Sequence, residues 1–339
     1  MKKTILFSLW ASACFAFLSC SKDQVNDVVT DNGSITIRFT QSNAFTRSLF
    51  DNTAAAEPWE RAVNSITLYF YDAAKLLVER NLTADEIAAG RVVFSLPRSF
   101  SGTGTIYAIA NRSIEEDVSV ENRIQAIIES DAGAYNGTIE EVSSKSVRNG
   151  GFLLSGFVSH NFTASVSNKT DIAIVLRRTV AKVHLKTVIA PLFYQRYPGK
   201  LKITSVQLKN AALQTFVFDN NGIYMGAMGY SHTQLPVFHD NDYYNLFYLF
   251  ENPPLPAESC VTMAITGIWD RDGDFDTVTD QEEVIYYAPV AGTKDGEIKR
   301  NGCYFVTANI TGLGGNAVDC TITVSDWESP VNESVEAGF

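Results

Sequence analysis

The densest group of residues that could do chemistry is an acidic run, Asp270-Arg-Asp-Gly-Asp-Phe-Asp276. Alternate carboxylates of this kind can converge on a hard cation such as calcium. An EF-hand loop has Gly at its sixth position and Glu at its twelfth, whereas here Gly273 is fourth and Gln281 is twelfth. We therefore predict an acidic turn that joins two strands and holds no metal, with a calcium site as the open alternative.

Two further motifs fit turns better than reactive sites. His239-Asp240-Asn-Asp242 offers a general base beside a carboxylate, but no nucleophile elbow lies near it, which favours a surface loop. Gly312-Leu-Gly314-Gly315 lies between two predicted strands with no helix after it, which favours a hairpin turn with positive φ over a phosphate loop. We predict no catalytic residue and no cofactor.

Composition excludes other classes of function. The 339 residues carry a net charge of −11, which disfavours a nucleic-acid partner. Four His and five Cys occur without a CxxC or HExxH motif, so the common zinc and thiol-redox templates do not apply. Hydrophobic residues make up 45% and charged residues 19%, which is typical of a globular chain with room for two domains. These features favour a protein that is not an enzyme.

The first twenty residues are typical of an export signal. A positively charged start and an apolar run that ends at Phe17 are followed directly by Ser19-Cys20. This ending resembles a bacterial lipobox, with Phe17 in place of the usual Leu. We predict a lipoprotein signal peptide over residues 1–20, lipidation of Cys20 and a polar tether over residues 21–33. Acyl chains on Cys20 would hold the precursor on a membrane.

Period-two alternation dominates the body of the chain and predicts strands. In the first of them, residues 34–40, the apolar side chains of Ile35, Ile37 and Phe39 share one face. Two segments are predicted to be helical, one after the capping box at Thr83-Ala-Asp-Glu86 and one over residues 121–130. Further predicted strands cover residues 65–71, 91–96, 105–110, 171–188, 200–208, 261–269, 283–288, 303–310 and 318–324.

Many short strands with few helices predict an all-β fold of antiparallel β-sandwiches. We place the N-terminal sandwich over residues 34–178 and the C-terminal sandwich, with a tail, over residues 179–339. The aromatic run over residues 247–250 is predicted to lie in the core. Export would place Cys260, Cys303 and Cys320 outside the cytoplasm, and we expect them to be buried as small apolar side chains.

Six short features, in this order along the chain, together resemble the fimbrillin family, the shaft and accessory subunits of type V pili of Bacteroidales. None is specific alone, and their order and spacing carry the resemblance. They are Ser19-Cys20, Thr105 to Asn111, Gly151 to Gly156, Arg178 to Val183, Lys299 to Tyr304, and Asp326-Trp327.

This resemblance implies two transthyretin-like β-sandwiches and export as a lipoprotein to the outer membrane. It also implies cleavage by an arginine-specific protease in the loop after the first strand. The residues that match the cleaved bond are Arg47 and Ser48. Arg61 is a weaker alternative because Pro58 and the strand that follows confine it.

Cleavage after Arg47 would free the strand that contains Ile35, Ile37 and Phe39. Its departure would expose unpaired backbone groups beside an apolar groove, which a strand of another subunit could fill. Repeated head-to-tail contacts of this kind build a filament. The resemblance therefore predicts a subunit of a surface pilus that serves adhesion, with other pilus subunits as its partners.

Two questions stay open at this point. The tail over residues 328–339 contains Pro330 and three Glu, which predicts a poor donor strand, so either residues 320–327 donate or the chain accepts without donating. The alternative function is a permanently lipid-anchored surface lipoprotein that binds ligands such as glycans through aromatic residues, for example Trp269, Tyr243 and Tyr244.

Overall fold

The computed structural model describes most of the chain: residues 32–40, 56–97, 102–162, 170–219, 222–223, 226–256, 258–290, 296–314, 317–326 and 333–337. The predicted lipidation site Cys20, the predicted cleavage residues Arg47 and Ser48, and residues 21–31 of the tether lie outside these ranges. Strands make up most of what is described and helices are few and short, so the prediction of an all-β sandwich fold is confirmed.

Nine strands precede Thr179: β1 (Asn32–Thr40), β2 (Ile66–Asp72), β3 (Lys75–Asn81), β4 (Arg91–Pro97), β5 (Gly102–Ala110), β6 (Ile128–Glu129), β7 (Leu154–Phe162), β8 (Thr170–Val175) and β9 (Arg177–Arg178). Eight of them form two sheets, a five-stranded one in the order β3-β2-β5-β7-β9 and a three-stranded one in the order β4-β1-β8. Their apolar faces share one buried cluster, to which both sheets contribute.

Eleven strands follow: β10 (Val180–Ile189), β11 (Lys200–Ala212), β12 (Thr215–Phe216), β13 (Met228–Gln234), β14 (Val237–His239), β15 (Asp242–Phe250), β16 (Thr262–Asp270), β17 (Gln281–Pro289), β18 (Gly302–Ile310), β19 (Val318–Asp326) and β20 (Glu333–Ala337). Ten of them form a six-stranded sheet, β14-β15-β10-β18-β19-β20, and a four-stranded sheet, β13-β11-β16-β17, whereas β12 pairs with β6. The largest apolar cluster of the described chain lies between these two larger sheets.

The strand pairing corrects two expectations. β1 runs parallel to β8, and β10 runs parallel to β18, so the sandwiches are mixed rather than wholly antiparallel. The run over residues 171–188, predicted as one strand, is divided into β8, β9 and β10, which lie in three different sheets. Its even alternation concealed the breaks because buried strands on both sides of Thr179 have the same apolar character.

The helices are α1 (Ala84–Ala89), α2 (Glu121–Gln125), α3 (Ile139–Val142) and α4 (Pro191–Arg196). The predicted capping box of Thr83 and Glu86 is confirmed at the start of α1. The predicted helix over residues 121–130 is wrong in its second half, because α2 ends at Gln125 and β6 pairs with β12 instead. This tertiary pairing overrides the local helical spacing. No helix in the described ranges combines the length and the apolar character that a bilayer crossing requires.

The tail also departs from expectation. Residues 333–337, part of the tail that we predicted to be a poor donor strand and did not list among the strands, form β20 at the edge of the six-stranded sheet. β20 pairs antiparallel with β19, from Cys320↔Ala337 to Val324↔Glu333. Pro330 precedes the strand and therefore removes no hydrogen bond from it.

Candidate functional site

The candidate site is β1 and the seat that it occupies in the three-stranded sheet. Thr36 and the isoleucines on either side of it are β-branched residues, which favour an extended backbone. β1 pairs antiparallel with β4, from Asn32↔Pro97 to Arg38↔Arg91, and parallel with β8, from Ile35↔Thr170 to Thr40↔Val175. Both edges of the strand are therefore hydrogen-bonded to neighbours.

The inner face of β1 is part of the N-terminal core. Ile35 and Ile37 are completely buried, and Phe39 is half-buried against the same cluster. Fully burying an Ile side chain stabilises a fold by about 1.5–3 kcal/mol. The structure thus places the three predicted residues where removal of the strand would open an apolar groove.

The outer face of β1 contributes little. Arg38 forms an ion pair with Asp171 of the neighbouring strand β8, and both side chains are substantially exposed. Exposed pairs of this kind contribute about 0–1 kcal/mol. β1 is therefore held in place by its apolar face and by main-chain hydrogen bonds. These include one from the Phe39 N–H to the Gly90 carbonyl at 2.9 Å.

β1 also connects the other two strands of its sheet. In the described part of the chain, β4 and β8 are neighbours of β1 and are not paired with each other. Loss of β1 would leave both strands with an unpaired edge and a strand-wide gap between them. A single extended segment would restore both ladders at once.

Arg61, the weaker protease candidate, lies in a structured turn. Its backbone N–H donates to the Glu57 carbonyl at 3.2 Å, and the residue is half-buried. A protease needs an extended, accessible segment, so this turn is a poor substrate. Arg47 and Ser48 are outside the described residues.

Several residues that carried the family resemblance meet in a buried polar network where the two sandwiches join. Arg178 is completely buried; its Nε donates to the Glu60 carbonyl at 2.9 Å and its Nη1 donates to Asn301 Oδ1 at 3.0 Å. Lys182 Nζ lies 2.7 Å from Glu60 Oε1, and the Tyr248 hydroxyl donates to the same carboxylate oxygen. Burial, together with the Glu60 charge, raises the pKa of Tyr248 well above its ordinary value.

Two other residues of the resemblance have structural roles. Asn111 adopts a left-handed backbone conformation (φ 63°), and its Nδ2 donates to the carbonyls of Ala62 and Phe152 at 2.7 Å each. At Gly156 a Cβ would lie 2.2 Å from the Val175 carbonyl oxygen, so only glycine fits where β7 crosses the end of β8. These residues hold the sandwich together.

Glu60 is the residue of this network that the sequence analysis missed. It lies in a turn just after Pro58 and Trp59, and its side chain is completely buried. One oxygen, Oε2, accepts a local hydrogen bond from the Glu57 N–H at 2.6 Å, but the ion-pair partner Lys182 and the partners Tyr248 and Arg178 are more than a hundred residues away in the sequence. The sequence contained one indication of this contact: an acidic residue at position 60 and a basic residue at position 182, in a chain in which 19% of the residues are charged.

The turn motifs lie where the sequence analysis placed them. His239 and Asp240 form an exposed pair at 3.1 Å in the hairpin between β14 and β15, where Asp240 and Asn241 both have positive φ, the signature of a type I′ turn. Gly312 and Gly314 lie between the antiparallel strands β18 and β19, as predicted, and neither has a positive φ; Gly315 lies outside the described residues.

The cysteines and the aromatic run are core residues, as predicted. Cys260, Cys303 and Cys320 are buried, and burial raises the pKa of the Cys303 thiol to about 12 and that of Cys320 to about 11. Such thiols are unreactive at neutral pH. Phe247 and Phe250 are completely buried.

The aromatic residues named for glycan binding do not form a platform. Trp269 belongs to the core between the sheets of the C-terminal sandwich and is only 8% exposed. Tyr243 and Tyr244 lie on β15, in the opposite sheet, and both are half-buried. A sugar-stacking surface needs exposed, coplanar rings, which these three residues do not provide.

Comparison with known proteins gives the fold a context. No family model and no curated protein sequence matches the chain. Among solved structures, the chain is similar to a fimbrilin from Porphyromonas gingivalis, with a TM-score of 0.58 at 16% identity over 90% of this chain and 100% of that one. The chain has a fimbrial fold. The tip fimbrial protein Mfa3 from the same organism gives 0.55 at 14% identity, covering 87% of this chain and 99% of that one.

A third structure, of a presumed cell adhesion protein from Parabacteroides distasonis, gives a TM-score of 0.58 at 13% identity, covering 90% of this chain and 99% of that one. The match extends over nearly the whole length in all three cases, so both sandwiches take part in it. The resemblance stated from short sequence features is thus matched at the level of the fold.

Proposed function

We propose that the chain is a structural subunit of a surface pilus, that it is not an enzyme, and that it polymerises by replacement of β1. The observation that carries this proposal is the position of β1: it bridges β4 and β8, it buries Ile35 and Ile37, and it is followed by a segment that contains an arginine. The fimbrial fold of the chain supports the same conclusion.

The precursor is exported as a lipoprotein, is lipidated at Cys20 and reaches the outer membrane before assembly. The polar tether leads from the lipid directly into β1. An arginine-specific protease then cuts between Arg47 and Ser48. Since residues 41–55 separate β1 from the next described residue, a cut at Arg47 leaves β1 held by non-covalent contacts alone.

Release of β1 is costly, so it must be coupled to replacement. The strand loses two ladders of main-chain hydrogen bonds, each bond worth about 0.5–1.5 kcal/mol net. It also exposes Ile35 and Ile37, at about 1.5–3 kcal/mol each. A donor strand that enters the same groove recovers both contributions, and the product is a subunit joined head to tail with its neighbour.

β20 is the best donor that the described chain offers. It lies at a sheet edge and pairs on one side only, whereas β19 lies between β18 and β20 and would break two ladders on leaving. The sequence around β20 repeats the apolar spacing of β1: Val335, Ala337 and Phe339 follow one another at every second position, as Ile35, Ile37 and Phe39 do. We therefore propose β20 as the donor, in place of residues 320–327.

N-terminal sequencing of the protein recovered from the cell surface tests the processing step. We expect a start at Ser48, and we expect the Arg47→Ala variant to keep its lipidated start at Cys20 and to form no polymer. Arg61→Ala is the matched control, because it removes an arginine from a structured turn and should leave both the start and the polymer unchanged. A start at Cys20 in the assembled wild-type protein would refute processing and favour a permanently anchored surface lipoprotein.

Strand donation has its own test. Ala337→Asp places a charge on the apolar face of β20, so we expect cleavage at Arg47 to continue while polymer ladders on denaturing gels are lost. Ser334→Asp places the same charge on the opposite face and should preserve the ladders. Equal polymerisation of the two variants would show that β20 is not the donor.

A further inference from the structure

The acidic loop between β16 and β17 has a geometry that the pilus function does not use. Asp270 ends β16 and is completely buried, whereas Asp272 and Asp274 are exposed on the loop that follows. Gly273, with φ +81°, lets the backbone fold back so that alternate side chains point to the same place. The loop is thus a local feature of one hairpin.

The three carboxylates are close enough to share one ion. One oxygen from each of Asp270, Asp272 and Asp274 lies within 4.8 Å of the others. Oxygen ligands lie about 2.3–2.6 Å from Ca²⁺, so two ligands on opposite sides of the ion are about 4.6–5.2 Å apart. The observed spread therefore fits a shell around a single calcium ion without movement of the backbone.

A buried oxygen without a partner points into this loop. Asp270 Oδ1 accepts a hydrogen bond from the Gly273 N–H at 2.5 Å, but Asp270 Oδ2 is buried and has no hydrogen-bond partner among the described residues. Asp280, where the chain returns to β17, also has a buried oxygen, Oδ1, without such a partner. A buried carboxylate oxygen is costly unless it is hydrogen-bonded, paired or bound to a metal.

Lys200 lies opposite Asp270 in the ladder, and its side-chain carbons pack beside Gly273, but among the described residues it forms no ion pair with the carboxylates of this loop. None of the ion pairs between described residues involves Asp270, Asp272 or Asp274. The nearest arginine in the sequence, Arg271, lies with its guanidinium 5.7 Å from the Trp269 ring centroid instead.

The carboxylates also act on one another. A hydrogen bond from the Asp274 N–H lowers the pKa of Asp272, but the adjacent Asp270 carboxyl, burial and the charges of Asp274 and Asp280 raise it above its ordinary value. For Asp270, burial raises the pKa, but hydrogen bonds from Gly273 and other groups of the loop outweigh it and lower the pKa. The negative charges that raise the pKa of Asp272 are ones that a divalent cation would neutralise.

We propose that Asp270, Asp272 and Asp274 bind one Ca²⁺ ion and that the ion stabilises the hairpin of β16 and β17. The site is not an EF-hand, since Gly273 is fourth in the loop and Gln281 is twelfth. Ca²⁺ is preferred to Mg²⁺, because Mg²⁺ requires octahedral ligands at about 2.0–2.1 Å and gives up its water reluctantly.

The test uses the protein recovered from the cell surface, freed of divalent ions with a chelator and then titrated with CaCl₂ or MgCl₂. We expect Ca²⁺ to raise the melting temperature in a saturable way and Mg²⁺ to do so only at higher concentration. Tb³⁺ provides a direct probe: its luminescence should be sensitised by the neighbouring Trp269 and displaced by Ca²⁺. No melting shift with Ca²⁺ up to millimolar concentration would overturn the proposal.

Matched variants locate the ion. Asp272→Asn and Asp274→Asn remove exposed charges, so both should fold, and each should weaken Ca²⁺ binding by about tenfold or more, which corresponds to about 1.4 kcal/mol. Asp240→Asn, in the exposed turn between β14 and β15, should bind Ca²⁺ as the wild type does. The same Ca²⁺-dependent shift in all three variants would place the ion elsewhere and refute the site. Cleavage and polymerisation would be unaffected by that result, so the pilus proposal is tested separately.

Discussion

Ile37 offers the sharpest test of how β1 is held. Its side chain is completely buried, and its backbone is paired with Val92 on one side and Ile172 on the other. Because these neighbours are fixed in ladders, the core cannot collapse into the space that Ile37→Ala leaves. We therefore expect a loss of about 3–4 kcal/mol, within the range of about 2–5 kcal/mol known for such truncations.

The control is Arg38→Ala, one residue further along the same strand. This variant removes the exposed ion pair with Asp171 and should cost about 1 kcal/mol at most. Urea denaturation of the uncut protein, followed by a probe of the N-terminal sandwich, measures both losses. A cost for Ile37→Ala below that of Arg38→Ala would show that the apolar face does not hold the strand.

The same variants predict the behaviour of the cut protein. If β1 leaves the groove by losing the contacts of Ile37, a loss of about 3 kcal/mol speeds its release by about a hundredfold, since each 1.4 kcal/mol is a factor of ten. Release of a fluorescently labelled β1 fragment after cleavage measures this rate. Equal release rates for Ile37→Ala and the wild type would refute the proposal that the buried face limits departure.

Three other expectations concern the rest of the fold. Glu60→Gln removes the counter-charge of buried Lys182 and should cost about 3–5 kcal/mol in urea denaturation, against about 1 kcal/mol or less for Glu57→Gln in the same turn. Gly156→Ala forces a Cβ onto a backbone carbonyl and should lower the melting temperature, whereas Gly314→Ala, with open space around it, should not. Burial lowers the pKa of His184 well below 6.5, so as the pH falls the imidazole is protonated in the unfolded chain before it is protonated in the folded one. The free energy of unfolding should therefore decline below about pH 6.5, by up to about 1.4 kcal/mol per pH unit, and this decline should be smaller in His184→Gln.

Two kinds of strand were predicted well from the sequence. The strand predicted over residues 91–96 matches β4, where buried and exposed positions alternate, and the strand predicted over residues 303–310 matches β18, whose β-branched and aromatic residues are buried on both faces. The sequence analysis missed β3, whose burial pattern alternates between exposed and half-buried positions without a fully buried residue. Such a strand has a weak apolar signal.

Pairing partners and buried charges could not be predicted in the same way. The parallel partners β1 and β8 are separated by more than a hundred residues, and no local pattern encodes which distant strand completes a ladder. The contacts of Glu60 depend on the same long-range closure, because its partners lie on β10 and β15. The acidic loop is intermediate: its spacing suggested a cation, but only the structure reveals that Asp270 is buried with an oxygen left unpartnered.

The two halves of the molecule differ in what their stability must permit. In the N-terminal sandwich, the strand proposed to leave is the one that joins its two neighbours, so the sheet of β4 and β8 depends on an occupant in every stage of assembly. In the C-terminal sandwich, the proposed donor β20 lies at an edge, so its departure would cost a single ladder and leave the five remaining strands of its sheet paired. This difference between a central strand and an edge strand gives the proposed assembly a direction. An edge strand leaves its own sheet at lower cost than a central strand, and it gains two ladders in place of one when it enters the next subunit.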